Sequence, residues 1–389
     1  MQNLLKILVF NEAHNYTRQK INSNYKTEKQ IGNYIVVYFN TSNSYIVLDK
    51  NTHTYFKAYK TAKTKVAYLT LLGTTSNSEL NILFYDTFFE LENTIPIKKS
   101  KPLDIVFSKS TPLVKYLTYQ NLVCQVASNN MDTLQDASSS YQHLETDIQN
   151  SSHTLTIQEN ASTMALKNTS GQVWSWSLHE KHVFQGKFSF ELLNAIHQKT
   201  EQDWIGTLHA STIGNGEEGI MLVGNSGSGK STLATLLMLQ GFDLIADDMS
   251  AMLLENNHIA VLPAAISVKE KAFNTIAPLV PDFQSLPTQY INTKKGYVTY
   301  VPPLPLKNPN CLSYPCKNLV LVRYSQTPIA TQLKQGAEKT ILEELISESW
   351  LAHNEVHAKA FLDWLGSVNF YELKYHNNQE AIAAVSSLF

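Results

Sequence analysis

A glycine-rich stretch in the second half of the 389-residue chain has the composition of a phosphate-binding loop. It matches the pattern G-x4-G-K-[ST] and consists of Gly224, Asn225, Ser226, Gly227, Ser228, Gly229, Lys230, Ser231 and Thr232. In such a loop the glycines let backbone N–H groups curl around phosphates, the lysine reaches the β and γ oxygens, and the serine hydroxyl lies beside Mg²⁺. The stretch therefore predicts a site for ATP and Mg²⁺, with Lys230 as a catalytic residue and Ser231 as a metal ligand.

The residues on either side of the loop supply the elements that a phosphate-binding loop requires. The apolar run at residues 220–223 predicts a strand buried on both faces directly before the loop. Leu233, Ala234 and Leu237 predict an apolar stripe on a following helix, which Gly241 is placed to end. The positive N-terminal end of that helix points at the same anion. Because a strand is predicted before the loop and a helix after it, a chance match to the motif is a poor explanation of the glycine-rich stretch.

Two adjacent acids follow the predicted helix. Asp247 and Asp248 end a second apolar run, residues 242–246, and lie close enough behind Ser231 to leave room for only one helix and one strand. They are therefore expected at the carboxyl end of a strand near the P-loop strand, where open α/β sheets bind ligands. The LSGGQ signature of ABC-type ATPases and the N/T-K-x-D motif of GTPases are both absent from the sequence. An acid pair at this spacing suits phosphoryl transfer to a hydroxyl.

A histidine upstream of the loop is the third candidate group. Residues 204–211 read as a strand, and residues 214–218 read as a turn before the P-loop strand. Antiparallel pairing through a short turn is the default for such neighbours. This hairpin would place His209 opposite Val223, at the mouth of the phosphate cradle. A histidine whose ring is simply satisfied within the sheet is the plainer alternative.

Together these motifs resemble HPr kinase/phosphorylase and its P-loop serine-kinase relatives. The resemblance rests on His209, the loop and the segment G-x-x-L-x-A-D-D that ends at Asp248, with further similarity at residues 266–270 and 293–303. It implies that Asp248 accepts the hydroxyl proton and that His209 lies close to the transferring phosphoryl group. Asp247 would then hold Mg²⁺ with Ser231, although the two acids could exchange roles. An L-E-V-R-G-type segment, which accompanies the reverse reaction in true HPr kinases, is not recognisable, so the resemblance is to the relatives of HPr kinases.

The predicted fold class is α/β, with a C-terminal P-loop kinase domain behind a mostly β N-terminal accessory region. The resemblance implies that the kinase domain has a mixed sheet with flanking helices, of the HPr kinase/PEP carboxykinase type. We predict a small α+β accessory module over residues 1–100, a β-rich accessory region over residues 101–198 and the kinase domain over residues 199–389. A hairpin with helices, the outline of the first module, is also found in small peptide-binding modules, but an outline of elements does not fix a function.

Charge and composition exclude several classes of partner. The formal net charge is −2 and the pI is about 6.6, which gives no reason to expect nucleic acid or an anionic membrane. Neither a signal peptide nor a membrane span is recognisable, so a cytoplasmic protein is expected. Because Arg18 and Arg323 are the only arginines, the chain cannot build the arginine-rich lid that many kinases close over phosphates. Lys269, Lys295 and Arg323 are the candidates for replacing that positive charge.

A Mg·ATP-dependent kinase that phosphorylates a serine hydroxyl of a peptide, a small protein or a free amino acid explains these features best. Two alternatives stay open: an unrelated small-molecule P-loop kinase, and a regulatory protein whose bound nucleotide only sets its conformation. The shortage of arginines and the presence of His209 argue against the first. The intact set of Lys230, Asp248 and His209 argues against the second. The sequence does not distinguish ATP from GTP or a pyrophosphate donor, and the tendency of the family to form rings raises the prospect of a homo-oligomer.

Overall fold

This computed structural model describes residues 26–73, 79–95, 107, 113–293 and 296–389. Three regions rich in β-sheet follow one another along the described chain. The first region is a three-stranded antiparallel sheet followed by helices. Its elements are β1 (Lys26–Ile31), β2 (Tyr34–Phe39), β3 (Ser44–Asp49), α1 (Lys50–Thr61), α2 (Lys65–Leu71) and α3 (Glu79–Asn93). Asp49 and Thr64 cap α1 and α2, because their side chains accept backbone N–H groups of the first helical turn.

The side chains of this N-terminal sheet alternate between two cores, as the period of two in a strand requires. One set, which includes Val37 and Phe39, packs against α1, α2 and α3. The other set, which includes Val36, Tyr38 and Tyr45, joins a core that also contains residues of the C-terminal region. The N-terminal sheet is therefore covered by its own helices on one face and by the rest of the protein on the other.

A five-stranded sheet with one crossover helix forms the middle region. Its elements are β4 (Leu113–Tyr119), β5 (Leu122–Ser128), α4 (Met131–Ser138), β6 (His153–Glu159), β7 (Thr163–Lys167), β8 (Val173–Ser177) and α5 (Lys181–His197). Neighbouring strands are antiparallel except β5 and β6, a parallel pair that α4 connects. Helix α5 buries Phe184, Phe188 and Leu192 in a core that spans the middle and C-terminal regions.

The C-terminal region contains the remaining strands and helices of the described residues. Its strands are β9 (Trp204–Leu208), β10 (Ser211–Gly214), β11 (Gly219–Val223), β12 (Asp243–Ala246), β13 (Ser250–Leu253), β14 (Ile259–Ala260), β15 (Ile266–Lys269), β16 (Thr288–Asn292), β17 (Gly296–Val301), β18 (Ser313–Tyr314), β19 (Cys316–Tyr324), β20 (Gln332–Gln335), β21 (Trp350–Leu351) and β22 (Asn369–Tyr375). Its helices are α6 (Lys230–Leu239), α7 (Phe273–Ile276), α8 (Glu338–Ser347), α9 (Glu355–Leu365) and α10 (Asn378–Ser386). Within the described ranges, no helix combines the length and the apolar composition that crossing a membrane requires.

The largest sheet has the order β12-β10-β11-β19-β22-β20 and carries the predicted phosphate-binding loop, residues 224–232 (the phosphate loop), after β11. Strands β11, β19 and β22 are parallel, so their carboxyl ends meet at one edge of the sheet. Strand β12 runs in the same direction, because both β11 and β12 pair antiparallel with β10 between them. Two further sheets have the orders β18-β14-β13-β9-β21 and β15-β17-β16. The fold is therefore mixed α/β, as the sequence predicts.

Two cores cross the region boundaries predicted from the sequence. The ring of Tyr45 in β3 packs edge-on against Phe361 in α9, with centroids 5.8 Å apart. The ring of Phe190 in α5 meets Trp204 in β9 at 6.2 Å. Removing residues 1–198 would therefore expose apolar surface on the C-terminal region, and large exposed apolar patches favour aggregation.

Candidate active site

The loop between β11 and α6 has the backbone conformation that its glycines allow. Gly224, Gly227 and Gly229 have φ values of +148°, +91° and +103°, which other residues rarely adopt. A Cβ on Gly224 would lie 2.7 Å from Ser228 Oγ, and one on Gly229 would lie 2.9 Å from the Tyr375 hydroxyl. Another residue at either position would therefore have a strained backbone and would displace a neighbouring group. A Cβ on Gly227 would meet nothing within 4 Å, so this part of the loop faces open space.

Lys230 begins α6 and is only 5% exposed. Its ammonium group donates hydrogen bonds to the carbonyl oxygens of Gly224 and Asn225. Burial lowers the pKa of Lys230, and the nearby carboxylates of Asp248 and Asp247 oppose that shift. An ammonium group in such surroundings attracts an anion strongly, because its charge is screened less than it would be in water.

The acid pair and His209 face each other across a break between two sheets. At one side of the break, Leu208 of β9 pairs with Ser250 of β13. At the other side, Thr212 of β10 pairs with Ala246 of β12. Residues 209–211 and 247–249 therefore lie opposite one another, at the point where both chain segments pass from one sheet to the other. This placement brings three groups that are distant in sequence, His209, Asp247 and Asp248, to the wall of one cleft.

The hairpin predicted between residues 204–211 and the strand before the loop is wrong for residues 204–208. Only β10 pairs with the P-loop strand, with Ser211 opposite Leu222, whereas β9 belongs to the second sheet. His209 therefore does not lie opposite Val223. It lies in the bend after β9, where its backbone N–H donates to Ser349 Oγ at 3.1 Å. The apolar sequence concealed the switch, because strands buried in either sheet have the same composition.

Asp247 is the buried member of the acid pair, with 9% exposure. Its Oδ1 accepts a hydrogen bond from Ser211 Oγ at 2.5 Å, and the Ser231 hydroxyl is a second partner. Burial, with a further contribution from the carboxylate of Asp248, raises the pKa of Asp247 to about 7. The hydroxyls of Ser211 and Ser231 act in the opposite direction, because they stabilise the ionised carboxylate.

The adjacent oxygens of Asp247 and Ser231 fit the requirements of Mg²⁺. This ion takes oxygen ligands and is usually held by one or two carboxylates together with substrate phosphates and water. The described residues hold no cluster of three or more His, Cys, Asp or Glu side chains suited to a metal, so phosphate and water would supply the remaining ligands. A divalent charge beside Asp247 would also favour the ionised form of its buried carboxyl group.

Asp248 is exposed and has a left-handed backbone conformation, with φ +59°. Aspartate tolerates this conformation better than most residues, and such conformations cluster at functional sites. Strand β12 ends at Ala246, so the turn, rather than the alternation of a strand, separates the two carboxylates. As a result Asp247 is buried beside the phosphate loop, whereas Asp248 remains accessible to a molecule that enters the cleft.

The cleft that joins these groups has a volume of about 1590 Å³. Of the predicted site residues, its lining includes His209, Ser226, Gly227, Gly229, Lys230, Ser231, Thr232, Asp247 and Asp248. The other three, Gly224, Asn225 and Ser228, are not part of that lining. Pockets for drug-sized ligands commonly measure about 300–1,000 Å³. The cleft therefore has room for a nucleotide and a second ligand.

The three predicted cations have different environments. Lys269 lines the cleft, and its Nζ donates to Ser226 Oγ in the loop at 3.2 Å. Arg323 is outside the cleft lining and pairs with Glu372 at 2.8 Å. Lys295 lies outside the described residues. Lys271, which no sequence motif singles out, also lines the cleft.

The middle region contributes another part of the cleft lining. Trp174 of β8 and Lys187 of α5 belong to it, with the lysine Nζ 4.1 Å from the centroid of the indole. The same ammonium group pairs with Glu191 at 2.9 Å and with Glu201 at 3.1 Å. Because two carboxylates neutralise this lysine, the surface here is aromatic and polar and lacks a strong positive charge.

Sequence reasoning did not select several residues that hold the site together. Ser211 donates a hydrogen bond to Asp247, and Glu344 Oε1 of α8 accepts one from Nδ2 of the loop residue Asn225 at 3.0 Å. Tyr324, at the carboxyl end of β19, lies against Gly229. These residues come from distant parts of the chain and belong to no local motif. The one signal that could have found Tyr324 is its position just after the buried apolar run of β19.

No family model matches the chain, and no curated protein matches its sequence. Among solved structures, the chain is similar to the Hpr(Ser) kinase/phosphatase from Coxiella burnetii. The two share 14% sequence identity with a TM-score of 0.23, and the similarity covers 47% of this chain and 89% of the other. A TM-score this low does not establish a common fold, so the function is inferred from the residues of the cleft.

Proposed function

We propose that the chain is a Mg·ATP-dependent kinase that phosphorylates a serine hydroxyl of a peptide, a small protein or a free amino acid. The observation that carries the proposal is the position of the exposed carboxylate of Asp248 in the same cleft as Lys230. A phosphate loop alone is compatible with a nucleotide sensor. A carboxylate that can take a proton is the additional group that transfer to a hydroxyl requires.

The proposed roles follow from burial and charge. Lys230 and the backbone N–H groups of the loop bind the β and γ phosphates at the start of α6. Asp247 and Ser231 would hold Mg²⁺, which neutralises negative charge on the phosphates when it is bound. Lys269, hydrogen-bonded to Ser226, adds positive charge beside the loop. These groups replace part of the charge that an arginine-rich lid would supply.

Transfer requires an acceptor oxygen in line with the γ-phosphate. The acceptor oxygen forms a bond to the γ-phosphorus while the bond from that phosphorus to the bridging oxygen of the nucleoside diphosphate breaks. Asp248 takes the hydroxyl proton, and His209, on the opposite side of the sheet break, lies close to the transferring phosphoryl group. Positioning and charge neutralisation supply most of the catalysis in such a transfer.

The acceptor is proposed to bind in the part of the cleft that Trp174 and Lys187 line. These residues and Asp248 line the same cleft. The volume of about 1590 Å³ exceeds the usual range of about 300–1,000 Å³ for a single ligand. The extra room favours a peptide or protein segment over a free amino acid as the acceptor.

Transfer of a radiolabelled γ-phosphate tests the proposal. We expect labelled phosphoserine in one or more members of a panel of serine-containing peptides and small proteins, and no label with Lys230→Ala. Lys339→Ala, which removes a lysine whose side chain is 55% exposed on α8, is a matched control that should retain transfer. Tight Mg·ATP binding without hydrolysis or transfer to any acceptor would instead support the regulatory alternative.

A further inference from the structure

An exposed tyrosine lies beside the phosphate loop, at the carboxyl end of the strand next to β11. Tyr324 is the last residue of β19 and is 45% exposed. Its backbone N–H donates to the carbonyl oxygen of Ser228 at 3.0 Å. Its Cβ lies 3.1 Å from the position that a Cβ on Gly229 would take. Tyr324 therefore lies directly against the loop, and it lines the same cleft as Lys230.

Two aromatic neighbours hold the ring of Tyr324 in place. The ring of His376 is nearly parallel to it, at 14° with centroids 6.2 Å apart, and Tyr375 packs at 60° and 5.5 Å. His376 is fixed in turn, because its Nδ1 hydrogen-bonds to the carbonyl oxygen of Ser325 at 3.0 Å. Tyr375 is buried, with 1% exposure. A ring supported in this way loses little conformational entropy when another ring stacks on it.

Two side-chain amides lie in the same cleft. Gln326 follows Tyr324 closely in sequence, and Asn378 is the first residue of α10. A side-chain amide offers both a hydrogen-bond donor and an acceptor. That pair of groups complements the polar edge of a nucleobase, as it does where glutamine or asparagine reads adenine. This corner of the cleft thus combines a flat aromatic surface, two amides and the adjoining phosphate loop.

We propose that Tyr324 is the stacking surface for the base of the phosphoryl donor, with Gln326 and Asn378 at the edge of that base. The inference rests on the proposed kinase function, because the phosphates must occupy the loop for the base to reach Tyr324. It deepens that function by identifying the donor as a nucleoside triphosphate. Pyrophosphate and other polyphosphates have no base and would make no use of this surface.

Calorimetric titration of the full chain with Mg·ATP and with Mg·tripolyphosphate separates the base from the phosphates. Tyr324→Ala should weaken Mg·ATP binding about 5- to 150-fold, the range measured for loss of one base–aromatic stack, and leave Mg·tripolyphosphate binding within about twofold. Tyr324→Phe keeps the ring and should bind both ligands as the unsubstituted protein does. The Phe variant and the tripolyphosphate titration together show whether the loop has kept its structure.

Equal weakening of both ligands by Tyr324→Ala would overturn the inference, because it would show that the residue acts on the loop through its contact with Ser228. Unchanged Mg·ATP binding in Tyr324→Ala would also overturn it, while leaving the kinase function standing. Failure of the unsubstituted protein to bind either ligand would overturn the kinase function, and the inference with it.

Discussion

The hydroxyl of Ser211 donates a hydrogen bond to Asp247 Oδ1 at 2.5 Å, across the break between the two sheets. Ser211 begins β10, which is flanked by the P-loop strand and by the strand that leads to the acid pair. The contact therefore fixes the buried carboxylate relative to the phosphate loop. Partners that orient a metal ligand typically change metal affinity about 10- to 100-fold when they are removed.

Ser211→Ala should weaken the affinity for Mg²⁺ by about 10- to 100-fold, because Asp247 would lose the group that orients it. ATP binding should then need a correspondingly higher Mg²⁺ concentration. Titrating ATP at a series of Mg²⁺ concentrations measures the effect. Ser138→Ala is a matched control, since it removes a buried hydroxyl that donates to the carbonyl oxygen of Leu134 within α4. If ATP binding in Ser211→Ala required the same Mg²⁺ concentration as in the control, the result would contradict the assignment of Asp247 as a metal ligand.

The raised pKa of Asp247 predicts a pH-dependent stability for the protein without bound ligands. The pKa is about 7 in the folded protein and 3.8 for an ordinary aspartate, so the folded state holds more protons between these values. The contribution of Asp247 to stability is therefore fully present below pH about 4 and is lost as the pH rises through about 7. Asp247→Asn removes the buried charge, so it should raise the melting temperature by a few degrees at pH 8 and have little effect near pH 4.

Thermal unfolding in a chelator between pH 4 and pH 8 measures this difference. Mg·ATP provides the internal control, because a divalent ion beside Asp247 should stabilise the unsubstituted protein at pH 8 more than it stabilises Asp247→Asn. If Asp247→Asn were less stable than the unsubstituted protein at every pH, the ionised carboxylate would be stabilising, contrary to the burial argument.

Local sequence predicted the parts of the site that depend on spacing. The loop, its strand and its helix follow from glycines and apolar residues at fixed positions, and the helix ends at Leu239, two residues before the left-handed Gly241 with φ +93°. The acid pair follows for the same reason, since one helix and one strand fill the space behind Ser231. In each case neighbouring residues determine the conformation.

Pairing between distant strands was not predictable in the same way. At His209 the chain passes from one sheet to the other, and the equally apolar sequences of β9 and β10 do not show which strand each one pairs with.

Strand β1 was not predictable for a different reason. Its sequence KTEKQI is polar, yet it pairs along its whole length with β2 and lies at the edge of its sheet, where polar side chains reach water. Ser211 and Tyr324 acquire their roles only through such long-range pairings.

The N-terminal sheet should unfold together with the six-stranded sheet that contains β11, because Tyr45 is buried in the core that they share. Tyr45→Ala should lower the free energy of unfolding by about 3–5 kcal/mol, the usual cost of truncating a buried aromatic residue. Differential scanning calorimetry should show one transition that moves to lower temperature. Tyr290→Ala, at a tyrosine that is 52% exposed, is the matched control and should change little. Two separate transitions, only one of which responds to Tyr45→Ala, would show that the regions fold independently.

Lys230→Ala should weaken Mg·ATP binding and slow transfer together, because its charge contacts phosphates before and during the reaction. A loss of about 10- to 100-fold in affinity is expected for one charged hydrogen-bonding group. Calorimetric titration with Mg·ATP gives the affinity, and label transfer at saturating nucleotide gives the rate. Unchanged affinity would place the phosphates somewhere other than the loop.

Asp248→Asn tests the central claim most directly, in a single-turnover measurement of phosphoryl transfer from enzyme-bound Mg·ATP to the acceptor found in the labelling panel. The variant keeps the shape of the side chain but cannot take the hydroxyl proton. Transfer should therefore slow by about 10²- to 10⁴-fold, while the affinity for Mg·ATP stays close to that of the unsubstituted protein. Transfer at an unchanged rate, or loss of Mg·ATP binding in the variant, would contradict the assignment of Asp248 as the proton acceptor and make Asp247 the candidate.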